Sequence, residues 1–139
     1  MIVLDTNVVS EAMKPAPDRR AMAWLRAQPL AELTTTAVTL AEISYGLCRL
    51  PRGRRRDDLT ARVRMFIAQA FGERILAFDA RAADLYGEIV ALRQAAGRPI
   101  EALDAMIAAT ARAHAASLAT RNLADFDGCG IPLIDPWAS

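Results

Sequence analysis

Very short apolar runs, separated by longer stretches with apolar residues at three- and four-residue spacing, leave few folds open to this chain. Ile2-Val-Leu-Asp5, Leu33-Thr-Thr-Thr36, Ile75-Leu-Ala77, Leu118-Ala-Thr120 and Pro132-Leu-Ile134 each read as a short strand. Helices are expected between them. One runs from Thr6 to about Met13, and a second, capped by Asp18, to about Ala27. A third runs from about Val38 to Arg49 and ends at Pro51. Residues 55–71 form a fourth, with Leu59, Val63, Phe66, Ile67 and Ala70 on one side. A long helix capped by Asp79 carries the stripe Ala82, Leu85, Tyr86, Ile89, Leu92 and Ala96, and Gly97 suits its C′ position. An alanine-rich helix spans 102–116, and Asn122 starts a further turn. Strands this short and apolar, each followed by a helix, imply an α/β fold: a five-stranded parallel sheet covered by helices on both faces. Such a sheet binds its ligands beyond the carboxyl ends of the strands, where the strand order switches direction.

With 139 residues, 53% of them hydrophobic, the chain is expected to form a single domain over 1–139 that needs neither disulfide nor structural metal to fold. Cys48 and Cys129 form no CxxC pair and read as two buried free thiols in a reducing compartment. Met1 leads straight into the first strand without a basic segment, and no apolar run approaches the roughly 18 residues of a membrane span, so a cytoplasmic location is expected. The formal charge is only +1, yet sixteen of the seventeen Lys and Arg residues are Arg. Arg52, Arg54, Arg55 and Arg56 crowd into one run. Arginine forks match phosphate geometry, which makes these residues possible RNA contacts. The ordinary alternative is a solvated loop and helix start with Asp57 and Asp58 as counterions.

Four carboxylates fall near strand ends or helix starts: Asp5, Glu42, Asp104 and Asp125. Each has an ordinary explanation. Asp5 and the segment Asn122-Leu-Ala-Asp125 can cap helices, Thr39-Leu-Ala-Glu42 fits a capping box, and Asp104 can complement a helix dipole. Two of them resist it. Asp104 shares its helix face with Ile107, Ala108, Ala111 and Ala115, so it is directed toward the core. Asp5 ends a wholly apolar strand. No Lys or Arg is an obvious partner for either, and a buried unpaired carboxylate is costly. A divalent cation resolves that cost, and oxygen-only ligands select Mg²⁺ or Mn²⁺ over zinc.

Other chemistries are poorly supplied. His114 is the single histidine and lies near a helix end. There is no GxSxG, Walker A or GxGxxG motif and no Cys/His metal spacing. An aspartyl phosphotransferase would need a second Asp two residues after the first, where Asn7 stands. The nucleophile of any enzyme built here is therefore a metal-activated water.

Ile2-Val-Leu-Asp-Thr-Asn-Val8, Thr39-Leu-Ala-Glu-Ile-Ser-Tyr-Gly46, Leu103-Asp-Ala-Met-Ile-Ala-Ala109, Thr120-Arg-Asn-Leu-Ala-Asp-Phe126 and the tail Pro132-Leu-Ile-Asp-Pro-Trp137 resemble, in order and from end to end, the motifs of PIN-domain proteins. The nearest subgroup is similar to the VapC-type toxins of bacterial toxin–antitoxin pairs, including their FitB-like relatives. The turn Ala115-Ala116-Ser117 departs from the family in lacking a Gly before the fourth strand, and the stretch before Asp104 is not its commonest form.

The resemblance implies a PIN-like fold and an endoribonuclease that uses Mg²⁺ or Mn²⁺ to cut single-stranded regions of tRNA, rRNA or mRNA. It makes Asp5, Glu42, Asp104 and Asp125 the acidic quartet, with Thr6 and Asn122 in support. Asp5 and Asp104 hold the metal, and Asp125 binds a second ion or orients the water. It further implies a homodimer in a higher assembly with a cognate antitoxin, which blocks the site and reaches promoter DNA on the complex's behalf. Val8, Val9, Met13, Met22, Trp24, Leu25, Met65 and Phe66 exceed what short strands can cover and are expected to contribute an apolar interface. The alternative is a low-turnover binding component of a DNA-binding antitoxin complex that regulates its own promoter.

Overall fold

The computed structural model describes residues 1–138. Its five strands are β1 (Ile2–Leu4), β2 (Leu33–Thr36), β3 (Ile75–Leu76), β4 (Ser117–Ala119) and β5 (Leu133–Ile134). Its helices are α1 (Thr6–Ala12), α2 (Arg19–Ala27), α3 (Ala37–Cys48), α4 (Arg54–Ala70), α5 (Ala80–Ala95), α6 (Ala102–Ala113) and α7 (Leu123–Phe126), with one 3₁₀ turn at Leu30–Glu32. The sheet order is β3-β2-β1-β4-β5 and every pairing is parallel. The chain lays down β1, β2 and β3 outward in one direction, then returns to the other side of β1 for β4 and β5. The switch point is therefore the crevice between the carboxyl ends of β1 and β4.

Alternation along the strands divides the core in two. Val3 and Leu118 face α5 and α6, packing with Ile89, Ile107, Ala108, Ala111 and Phe126. Leu4 and Ala119 face the other way, with Val8, Val9, Leu33 and Phe71. On the first face, α6 buries Ala105, Ala108, Ala109 and Ala111 completely. These small side chains let α5 and α6 form the most extensively packed helix pair. On the second face, Met13, Trp24, Leu25 and Phe66 pack against the core from α1, α2 and α4. The apolar surplus expected to stand exposed thus mostly covers itself within one chain. Of the residues named for it, Met65 remains outside, at 63% exposure.

Three further expectations are corrected. In α5 the stripe continues from Ile89 to Arg93, while Leu92 lies 58% exposed. Cys48 is exposed and only Cys129 is buried. Helix α6 stops at Ala113, because Ala115 takes a left-handed conformation (φ 51°) that closes the turn into β4. Among the described residues no helix is long and apolar enough to cross a membrane.

Candidate active site

Asp5 stands one residue past β1, at the switch point, and is 4% exposed. Its Oδ1 accepts from the backbone N of Thr6 (2.8 Å), which makes it the N-cap of α1. Its Oδ2 accepts from Thr120 Oγ1 (2.8 Å) and Asn7 Nδ2 (3.1 Å). All three donors are neutral. Burial pushes the Asp5 carboxyl up, these hydrogen bonds offset part of the shift, and the charge of Glu42 adds to it. A carboxylate offers about four lone-pair sites, so one remains on Oδ1.

Glu42 lies in the second turn of α3. The capping box proposed for it does not form, because the cap is Thr36, whose Oγ1 accepts from the backbone N of Thr39 (3.1 Å). Glu42 Oε1 instead accepts from Thr6 Oγ1 (2.7 Å), and that hydroxyl lies 3.2 Å from Thr39 Oγ1. Thr6 therefore links the first acidic segment to the second. Asn122, expected to lend a supporting side chain, reaches this network only by its backbone N, which donates to Thr120 Oγ1 (3.1 Å), and its side chain makes no capping bond to α7.

Asp104 in the first turn of α6 and Asp125 in α7 line a cavity of about 420 Å³ together with Glu42, Glu101, Arg93, Pro99, Ile100 and Leu103. Asp5 is not part of the lining, but its charge acts on Asp104. Burial, followed by the charges of Asp5, Asp125, Glu42 and Glu101, pushes the Asp104 carboxyl up to about 6. Asp5 is thus the carboxylate that Asp104 feels most. None of the acids in this group takes part in an ion pair among the described residues.

The four predicted acids converge, and the arginine run does not join them. Arg52, Arg54, Arg55 and Arg56 flank a separate shallow depression with Leu50 and Pro51 at the tip of the α3–α4 hairpin. Sequence reasoning missed four participants. Thr120 is a fully buried polar residue at the end of apolar β4, and that polarity was the available signal. Asn7 bridges Asp5 and Thr120. Glu101 adds charge at the rim. Arg93, 6% exposed, donates from Nε to Arg98 O (2.6 Å) and from Nη1 to Asp125 O and Asp127 O (both 2.8 Å). It ties the loop before α6 to the loop after α7, and these are the two walls that carry Asp104 and Asp125. Its i+4 spacing from Ile89 admitted an inward-facing position.

No three Asp, Glu, His or Cys side chains among the described residues stand as a ready-made ion cage. The residues nonetheless fit a hard divalent cation. Mg²⁺ keeps several waters and is usually held by one or two carboxylates plus substrate phosphate. A free lone pair on Asp5 and a destabilised Asp104, neither of them in an ion pair among the described residues, meet that requirement.

A PIN domain model matches residues 2–127. The chain is 41% identical to the VapC ribonuclease Y4jK of Sinorhizobium fredii over 137 residues, 99% of this chain and 98% of that protein. It is 37% identical to the toxin FitB of Neisseria gonorrhoeae, covering 99% of each. The crystal structure of FitAcB from Neisseria gonorrhoeae superposes with a TM-score of 0.92 over 100% of both chains, at 37% identity. FitAB bound to an IR36 DNA fragment gives 0.91 over 99% of this chain and 96% of that one.

Proposed function

The chain belongs to the PIN-domain family, and we propose that it is the toxin of a toxin–antitoxin pair, a Mg²⁺- or Mn²⁺-dependent endoribonuclease cutting single-stranded regions of RNA. The observation that carries this reading is the crowding of Asp5, Glu42 and Asp125 around Asp104 at the switch point, with no cation paired to any of them among the described residues. A bound divalent ion supplies charge stabilisation on the phosphoryl oxygens and an activated water.

The chain's own residues prepare that chemistry. Asp5 and Asp104 are the ligands. Thr6, Asn7 and Thr120 orient Asp5 so that one lone pair stays free. Glu42, held by Thr6, adds negative charge beside them. Asp125, across the cavity, orients the attacking water or helps hold a second ion. The test is cleavage of a single-stranded RNA by purified protein in EDTA and after adding Mg²⁺ or Mn²⁺. Cleavage that needs the metal and is lost in Asp5→Asn and Asp104→Asn supports the reading. Metal-independent cleavage, or full activity in Asp104→Asn, refutes it.

The solved complexes of relatives guide the partner proposal. FitAB is described with bound DNA, which motivates a cognate antitoxin that covers the acidic cavity and carries promoter DNA, with two copies of this chain in the assembly. The same observation favours the second reading, a low-turnover binding component. A purified chain that joins an antitoxin–DNA complex but shows no metal-dependent cleavage decides for it.

A further inference from the structure

Arg121 lies between two residues of the site. Thr120 bonds Asp5 directly, and the backbone N of Asn122 donates to Thr120 Oγ1. The backbone N of Arg121 itself donates to Asn7 Oδ1 (3.2 Å), and Asn7 Nδ2 donates to Asp5 Oδ2. Its main chain is therefore pinned two hydrogen bonds from the deepest carboxylate. Its side chain behaves differently from the other arginines near the site. The Arg93 guanidinium is spent on backbone carbonyls, and Arg98 pairs with Asp127. Arg121 is exposed and makes no ion pair or side-chain hydrogen bond among the described residues. Its guanidinium carbon sits 5.0 Å from the ring centroid of Trp137.

A free arginine beside a cluster of carboxylates would ordinarily fold onto one of them. Here the indole holds it instead. Trp137 is fixed by its backbone N donating to Asp135 Oδ1 (2.9 Å) and by packing against the core on the α1–α2–α4 face. This cation–π contact uses none of the guanidinium N–H groups in a hydrogen bond among the described residues, so they remain available to phosphate. A fixed positive charge near an acidic crevice offsets the repulsion that a polyanion meets there. Neither the arginine run nor the Arg121 side chain lines the cavity itself, but the Arg121 main chain is bonded to Asn7 beside Asp5, whereas the run lies at the separate hairpin tip.

We propose that Arg121, held against Trp137, is a phosphate-binding residue on the RNA path into the acidic crevice. This rests on the ribonuclease reading and concerns ground-state binding, so it is tested without metal. Binding of a fluorescein-labelled single-stranded oligoribonucleotide is followed by anisotropy in EDTA across a series of KCl concentrations, for wild type, Arg121→Ala, Arg121→Lys and Trp137→Leu, each checked for an unchanged melting curve. Loss of one charge-assisted contact in Arg121→Ala is expected to raise Kd about tenfold and to lower the magnitude of the log Kd against log salt slope by about 0.7. Arg121→Lys keeps the slope but binds more weakly. Trp137→Leu keeps the slope and weakens binding about threefold, because the charge remains and its placement is lost. Wild-type Kd and slope in Arg121→Ala overturn the proposal while leaving the ribonuclease reading standing. Wild-type binding in both Arg121→Lys and Trp137→Leu overturns the role of the contact with Trp137. Failure of the wild type to bind RNA in EDTA at any salt concentration also overturns the proposal, and the ribonuclease reading is then decided by the metal-dependent cleavage assay alone.

Discussion

The acids around the crevice and the arginines of 52–56 are both clusters of like charge, and they arise in opposite ways. Asp5, Glu42, Asp104 and Asp125 come from four distant segments, and the parallel sheet gathers them at the ends of its central strands. Arg52, Arg54, Arg55 and Arg56 are neighbours in sequence, yet they splay at a hairpin tip where three of the four are exposed. Solvent screens the second cluster almost without cost. The first is partly desolvated, and burial together with the neighbouring carboxylates raises the proton affinity of Asp5 and Asp104. Convergence imposed by the fold stores electrostatic energy that a ligand can release. Contiguity in sequence stores little.

The largest effect expected from breaking this contrast is catalytic. Asp104→Asn should lower metal-dependent RNA cleavage by about 10³-fold or more, while the circular dichroism spectrum stays that of the wild type. A single-turnover assay with the variant purified free of host nucleases measures it, and residual activity within tenfold of wild type would remove Asp104 from the machinery.

Arg93 provides the next largest effect, because it lines the cavity beside the acids and yet is bound to carbonyls rather than carboxylates. Arg93→Met should leave Arg98 O, Asp125 O and Asp127 O without their donor. Three partly buried acceptors lost together should cost about 3 kcal/mol and lower the melting temperature by roughly 10 °C. A thermal melt in EDTA reads this directly. A change of no more than a degree or two would mean that water replaces the guanidinium freely.

Stored charge in the crevice should also appear in the pH dependence of stability. The Asp104 carboxyl titrates near 6 in the folded chain rather than near 3.8. Between these values the folded state holds the proton more tightly than the unfolded chain does, so stability declines as pH rises from about 4 to 6 and the full cost remains above 6. Because the side chain is about half exposed, solvent screening leaves that cost at only roughly 1 kcal/mol. Asp104→Asn removes it. The variant should melt higher than wild type at pH 7.5 in EDTA and match it near pH 3.5. Added Mg²⁺ should raise the melting temperature of wild type at pH 7.5 and leave the variant unmoved. Equal melting curves at pH 7.5 would show that the carboxylates are too well solvated to strain one another.

Most of the fold was legible because strand ends and helix starts carry local signals. Asp18 and Asp79 cap the helices that their positions announced. The acids of the site were legible because each stands in a recognisable motif. Arg93 was not, since Leu92 and Arg93 stand three and four residues past Ile89 and the helical period admits either, while residue type favours the leucine; the fold buries the arginine. Glu42 shows a related limit. Thr39 and Glu42 have capping-box spacing, but the helix begins one turn earlier at Thr36, and only the fold brings Thr6 across to bond the carboxylate. The exposure of Met65 and the burial of Met22 depend on which helices meet on the second face, and that is a property of packing rather than of periodicity.

The smallest effect should come from the arginine run itself. Of its side chains only Arg56 makes a hydrogen bond, to Leu50 O at 3.5 Å, and none is in an ion pair among the described residues, despite Asp57 and Asp58 alongside. Three positive charges in the first turn of α4 oppose the positive end of the helix dipole, and Asp57 is the only acid there to complement it. Replacing Arg54 and Arg55 with Gln should therefore leave stability within about 0.5 kcal/mol, with any change toward greater stability. The gain should be clearest at low salt and vanish as salt is raised, because exposed charges are screened beyond a Debye length of about 10 Å at 0.1 M. Melting curves of the double variant at two salt concentrations test this. A loss of several degrees would show that the run is held by contacts at the hairpin tip, and would erase the contrast with the crevice. A loss that persists at high salt would place those contacts in packing of the arginine stems rather than in charge.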